Sequence, residues 1–395
     1  MKHTWRWFGP EDPVSLSDIC QAGAQGVVTA LHHIPPGQVW TAEEIARRQA
    51  ELSRAPTPLD WSVVESLPVS EDIKRQSGPW RRHLDAWKDS LAALGAAGVQ
   101  TVCYNFMPIL DWTRTDLAHA LPNGATCMRF DLIDYAVFDL FILDRPGAAA
   151  DLPRATVDAA ETRLSAMSVE DRDRLCANIV SGLPGAAAHF TLDDVRGQLA
   201  LYDGIGADRL RQHLAAFLAE VAPVAQDLGL RLCAHPDDPP WPLLGLPRIL
   251  STEADYTAMR AAAPLPANGV TLCSGSLGAD PRNDLPGMMQ RLGPHVHFLH
   301  LRNVTREDGT VPGSFHEAAH LQGATDMVAL IRAVLSEERR RRAEGRGDWQ
   351  IPMRPDHGQA ILSDLAAPHR PGYPAVGRLK GLAELRGIET ALGHG

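Results

Sequence analysis

Eight short β-rich runs, each followed by a helical pattern, constrain this chain more than any other feature. The runs are Thr4–Phe8, Gly26–Leu31, Trp61–Ser66, Thr101–Phe106, Leu230–Ala234, Val270–Cys273, Val296–Leu301 and Trp349–Met353. Helical periodicity occupies 14–25, 41–53, 80–98, 206–228, 252–262, 284–292 and 322–345 between them, and 375–392 after the last. Strands alternating with helices call for parallel strands joined by helical crossovers. Eight such units close on themselves, so the expected fold is α/β, a TIM (β/α)8 barrel forming a single domain over 1–395.

The spacing breaks once. About 100 residues separate the fourth and fifth runs, far beyond the usual loop of roughly 2–6 residues, so that segment needs structure of its own. Helical patterns near 129–144, 156–165, 169–182 and 191–200 predict a helical insertion over 107–205, between strands four and five. The arginine run in SEERRRRAEGRG (336–347) reads as a solvated helix end.

Charge narrows the partners. With 38 basic and 48 acidic residues the formal net charge is −10, which argues against nucleic acid and anionic membranes. The start MKHTWRWFGPEDP has no apolar run of signal-peptide length, and no stretch reads as a membrane span, so a cytoplasmic protein is expected. The six cysteines are too scattered for a disulfide scaffold or a CxxC zinc pattern, whereas 16 histidines are many for this length.

In such a barrel the active site forms where the strands end at their carboxyl face. Four consecutive strands end in a residue able to bind a metal: His235 in CAHPDD, Cys273 in TLCSGS, His300 in HLRN and Asp356 in RPDHG. Adjacent strands lie about 4.8 Å apart, so residues at equal height converge above the barrel. Two imidazoles, a thiolate and a carboxylate suit Zn, Fe(II), Co or Mn(II) better than Mg or Ca. A closed structural zinc centre is the alternative use of the same set. His357, next to the proposed ligand Asp356, points elsewhere and is free for proton transfer. Arg302 shares the strand parity of His300, and Arg354 that of Asp356, so both are candidates to hold a substrate carboxylate. The segment GSFHEAAHLQG brings His316, Glu317 and His320 to the same face, for substrate contact or ligand orientation. Tyr373 sits in the constrained loop HRPGYPAVGR, where packing is its ordinary role.

The runs WRWFGPEDPV, TALHHIPPGQVW, SVVESLPVSEDIK, YNFMPILDWTRTDL, AHPDDPP, LCSGSLG, HLRNV, SFHEAAHLQG, IPMRPDHG and PGYPAVGRLKGLAELRGI resemble the D-mannonate dehydratase family, of the xylose-isomerase-like barrel type. The resemblance covers both ends and nearly all of the middle. It implies dehydration of D-mannonate to 2-dehydro-3-deoxy-D-gluconate in hexuronate (glucuronate) catabolism, with Fe(II) or Mn(II). It places the metal ligands on His235, Cys273, His300 and Asp356 and a proton-transfer pair on His357 and Tyr373, the last promoted from packing by the resemblance alone. A small sugar acid is then the partner, and the prevalence of symmetric assemblies points to a homo-oligomer. Two other functions fit the same pattern: a metal-dependent sugar isomerase or epimerase on the same barrel, and a barrel that binds a metal or sugar acid without turnover.

Overall fold

The computed structural model describes residues 1–110, 112–180 and 191–393. Twelve strands occur among them: β1 (Lys2–Arg6), β2 (Gly26–Thr29), β3 (Asp60–Glu65), β4 (Thr101–Tyr104), β5 (Asp116–Ala120), β6 (Thr126–Phe130), β7 (Arg231–Ala234), β8 (Asn268–Cys273), β9 (Val296–Leu301), β10 (Asn303–Arg306), β11 (Phe315–Ala318) and β12 (Pro352–Pro355). Eight of them close a parallel barrel in the order β1-β12-β9-β8-β7-β4-β3-β2. All eight expected runs supply a barrel strand. The first and last are displaced, to Lys2–Arg6 and Pro352–Pro355, because pairing of Lys2 with Pro352 and His3 with Met353 sets the register across the closure.

Several helices outside the barrel carry their own start signals. Thr252 accepts from the backbone N–H of Asp255, whose carboxylate reaches back to Thr252, a capping box that opens Glu253–Ala262. Thr41 and Asp326 cap Ala42–Leu52 and Met327–Ala343 in the simpler way. Inside the barrel, Val28, Val63, Cys103, Cys233 and Phe298 form a separate small core. Phe298 is fully buried and meets the His300 ring edge-on at 4.6 Å, so the apolar plug is also the floor of the polar site above it. Burying a side chain of this size contributes about 1.5–3 kcal/mol.

The insertion differs from the wholly helical segment expected over 107–205. It opens with the hairpin β5–β6, which joins β10 and β11 in a four-stranded antiparallel sheet ordered β10-β11-β6-β5. The helix expected over 129–144 is correspondingly shorter. β6 runs to Phe130, Asp131 then caps Leu132–Val137 through the N–H groups of Ile133 and Asp134, and a wider π turn continues over Phe138–Ile142. Helices follow at Arg154–Ala166, Val169–Val180 and Leu192–Ala200; residues 181 and 182 of the pattern expected over 169–182 lie outside the described residues. A second apolar cluster, with Phe130, Tyr135, Val137, Trp241 and Phe315, ties sheet and helices together.

The arginine run is not simply a solvated helix end. Arg341 is buried and donates to the carbonyls of Gly293 and Val296 at 2.6 and 2.7 Å, stapling Met327–Ala343 to the start of β9. Among the described residues no helix is long and apolar enough to cross a membrane.

Candidate active site

The barrel register assembles the expected ligand set. Cys273 pairs with His300 across β8 and β9, and Arg354 pairs with His300 across β12 and β9, which puts the three side chains at one height. His235 and Asp356 stand one residue beyond β7 and β12, where their N–H groups still bond Tyr104 and Leu301. Ligand atoms of His235, Cys273 and His300 all lie within 4.8 Å of one another. Asp356 completes the ring, with Oδ2 at 3.9 Å from Cys273 Sγ and 3.7 Å from His300 Nδ1.

The outer contact of His235 decides its tautomer. His235 Nδ1 lies 2.7 Å from the Pro236 carbonyl, which only accepts, so Nδ1 carries the hydrogen. His300 Nε2 lies 3.2 Å from Glu65 Oε1. Burial raises the Glu65 pKa, but Arg354, His300 and Arg6 outweigh it and hold the group well below the usual carboxylate range, so His300 Nε2 faces an anion without a hydrogen bond to it. The inner nitrogens, His235 Nε2 and His300 Nδ1, face each other at 3.0 Å, and the hydrogen on His235 Nδ1 leaves a lone pair on His235 Nε2 pointing inward. A divalent cation can take that lone pair, and imidazoles with a carbonyl and a carboxylate on their outer sides are the ordinary support of a metal site. The donor set and its geometry fit such an ion.

Around the ligands lies a buried lattice of alternating charges. Arg354 donates from Nε and Nη2 to Glu65 at 3.0 and 2.9 Å and from Nη1 to Asp356. Arg302 donates to Glu317 at 2.8 Å and Asp238 at 2.9 Å, while Arg114 grips Asp238 at 2.8 and 3.1 Å and approaches Glu317 at 3.3 Å. Burial raises the Asp356 pKa, but Arg354, His357, His300 and Arg302 more than reverse it, so the carboxylate is ionised and ready to ligate. Arg354, expected to hold a substrate carboxylate, lines the cavity with its donors on Glu65 and Asp356. Arg302 keeps one buried nitrogen, Nη2, without a partner.

His357 Nδ1 lies 3.1 Å from Glu317 Oε1, which leaves Nε2 as its free basic nitrogen. The Tyr373 ring meets His357 edge-on at 5.1 Å. Gly372, at φ +78, permits the turn that aims Tyr373 inward; a Cβ there would fall 2.4 Å from Met128 Cε. Burial, eased by Arg354 and reinforced by Asp356, pushes the phenol up to about 12. Glu65, Trp112, His235, Asp238, Arg302, Arg354, Asp356, His357 and Tyr373 line a small cavity above the barrel.

Two expected contacts lie elsewhere. β11 is a strand, so His316 and Glu317 point to opposite faces: Glu317 enters the site, and His316 turns outward to Glu307 at 2.9 Å. His119 joins them in a compact group, but both oxygens of Glu307 are already taken by Arg129 at 2.7 and 2.6 Å. His320 is buried with Nε2 at 2.9 Å from the Leu301 carbonyl, and neither His316 nor His320 lines the cavity. Sequence reasoning passed over Glu65, Asp238, Arg114 and Trp112. The strand-end rule that found the ligands also reaches Glu65, the last residue of β3, and Asp238, in the loop after β7; nothing local marks Arg114.

The family model for D-mannonate dehydratase (UxuA) matches residues 1–395. The chain belongs to the D-mannonate dehydratase family. It is 59% identical over 394 residues to a mannonate dehydratase of Rhizobium meliloti, covering 100% of this chain and 98% of that protein. It is 57% identical to mannonate dehydratase 1 of Agrobacterium fabrum, with the same coverage. A crystal structure of mannonate dehydratase from Streptococcus suis serotype 2 superposes with a TM-score of 0.75 at 30% identity, covering 100% of this chain and 94% of that one. Members of the D-mannonate dehydratase family are hydro-lyases, and both the barrel and the strand-end site described above belong to this member.

Proposed function

We propose that this chain removes water from D-mannonate to give 2-dehydro-3-deoxy-D-gluconate, in a cytoplasmic route of hexuronate catabolism, with Fe(II) or Mn(II) held by His235, Cys273, His300 and Asp356. The observation that carries the reading is the pair of facing imidazole nitrogens clustered with the Cys273 sulfur, with His357 and Tyr373 standing unused for ligation. The bound cation would supply the positive charge that makes a proton beside a carboxylate acidic enough to remove.

The chain's own residues divide the proton work. His357 takes the C2 proton at Nε2, since Glu317 holds the hydrogen of the ring on Nδ1. Tyr373 gives its phenolic proton to the departing 3-hydroxyl, in keeping with a phenol pushed up to about 12, which is protonated at neutral pH. The enol that results tautomerises to the 2-keto acid. Arg302 offers Nη2 to a substrate oxygen, and buried Trp112, whose Nε1 is unpartnered, walls the cavity against water.

The test is to strip the protein, reload it with Mn(II) or Fe(II), add D-mannonate and measure the 2-keto-3-deoxy acid. No product with either metal overturns the reading. An isomerase or epimerase would instead interconvert aldoses or ketoses in the same preparation.

A further inference from the structure

The centre of the site has little positive charge to spare. Arg302, Arg114 and Arg354 are matched by Glu317, Asp238, Glu65 and Asp356, all buried. A substrate that brings a carboxylate calls for a further cationic group, and one lies on the turn that carries Tyr373.

Arg370 lies on the turn that carries Tyr373, whose N–H donates to the Arg370 carbonyl at 2.8 Å. Its guanidinium carbon sits 5.0 Å from the centroid of the Phe8 ring, and Phe8 meets Tyr373 edge-on at 4.9 Å. Among the described residues Arg370 has no ion pair, and its buried Nε has no hydrogen-bond partner. Stacking on an aromatic face therefore holds a guanidinium whose charge nothing answers.

His32 flanks the other side of Phe8, with ring centroids 5.6 Å apart. Its Nε2 lies 3.4 Å from Arg6 Nη2; an arginine only donates, so the histidine hydrogen is on Nδ1. That Nδ1 is buried and unpartnered. Burial first, then the charges of Arg6, Arg48 and Arg370, hold His32 well below the ordinary histidine range, so the ring is a neutral donor. Arg6 stacks on Phe8 at 4.8 Å, leans on Glu65 at 3.2 Å and leaves its own Nε unpartnered. Folded proteins leave few buried donors unpaired. Here three belong to neighbouring groups around one ring.

We propose that Arg370, His32 and Arg6 form an anion-binding rim that takes the carboxylate of the sugar-acid substrate, with Arg370 supplying the charge that selects an acid over a neutral sugar. The inference rests on the sugar-acid reading above and adds to it the residues that recognise the acid group. The planar fork of an arginine suits a carboxylate. A carboxylate seated beside Tyr373 also places the adjacent C2 and C3 next to the proton-transfer pair.

The experiment compares metal-loaded wild type, Arg370→Gln, Arg370→Lys and His32→Gln. Each is titrated calorimetrically with D-mannonate and with D-mannitol, the neutral alditol of matching configuration, and metal content and melting temperature are recorded alongside. Expected is a loss of about 10–100-fold in D-mannonate affinity for Arg370→Gln, the scale of one hydrogen bond to a charged group. D-mannitol affinity should not change, Arg370→Lys should recover part of the loss, and His32→Gln should show a smaller loss of the same selectivity. Arg370→Gln binding the acid as wild type does, or losing acid and alditol equally, overturns the inference. Wild type that neither binds nor dehydrates D-mannonate overturns the underlying function instead.

Discussion

Glu317 accepts from Nδ1 of His357 at 3.1 Å while it receives Arg302 on its other oxygen at 2.8 Å, so one buried carboxylate both orients the proton-transfer histidine and balances the arginine beside the metal site. Replacing it by Gln keeps the shape and removes the charge. Glu317→Gln is expected to lower kcat by about 10–100-fold, the usual effect of losing an orienting partner, with a smaller change in KM. Steady-state kinetics check this; kcat equal to wild type would show that His357 does not depend on Glu317.

His357 itself touches no ligand atom closer than 3.8 Å, its Nε2 to Asp356 Oδ1. His357→Asn should therefore keep its full complement of metal yet lose turnover by about 100–10,000-fold, the range of a positioned general base. Elemental analysis and product assay on one preparation separate the two effects. Normal turnover in the variant removes His357 from the mechanism.

Cys273 is fully buried at the base of the ligand set, where the Ser276 N–H and hydroxyl approach its sulfur at 3.4 and 3.2 Å. Cys273→Ser is expected to abolish stoichiometric binding of Mn(II) or Fe(II), and with it the rise in melting temperature on adding metal. The same rise in variant and wild type would exclude sulfur from the ligand set.

The barrel was legible because its strands are largely buried and read as short apolar runs between helices, several of which carry their own caps. The clustering of the strand-end residues was legible because the barrel turns position in sequence into height above the strands, as Cys273 paired with His300 illustrates. The antiparallel sheet was not. β6 pairs with β11 through Phe130 and Phe315, a contact between distant segments that leaves no local period in RFDLIDYAVFDLFILD, where a helical pattern runs across the strand end. Missing β11 then hid the alternation along it, so His316 and Glu317 were expected on one face, where Glu317 alone enters the site and His316 turns to Glu307. Arg354 shows a different limit: parity placed it at the site, but only the carboxylates around it determine that its donors are already engaged.

A group far from the chemistry contributes to the acid sensitivity of the fold. His297, near the start of β9, is buried with Nε2 at 3.0 Å from the Pro266 carbonyl, and its ring occupies the space where Gly269 lacks a Cβ, 2.1 Å from that position. Burial, with Arg231 and Arg341 adding to it, depresses its pKa to about 3. The unfolded chain binds a proton near pH 6.5 that the folded chain refuses until about pH 3. Stability is therefore full above pH 6.5 and falls as pH drops through that window, by about 2 kcal/mol at pH 5 from this residue alone. His297→Gln keeps an N–H for the Pro266 carbonyl and has nothing to titrate. Denaturant unfolding at pH 7 and pH 5 should show a smaller acid loss in the variant, by about the same 2 kcal/mol. Equal losses in the two proteins would place the acid sensitivity in other groups.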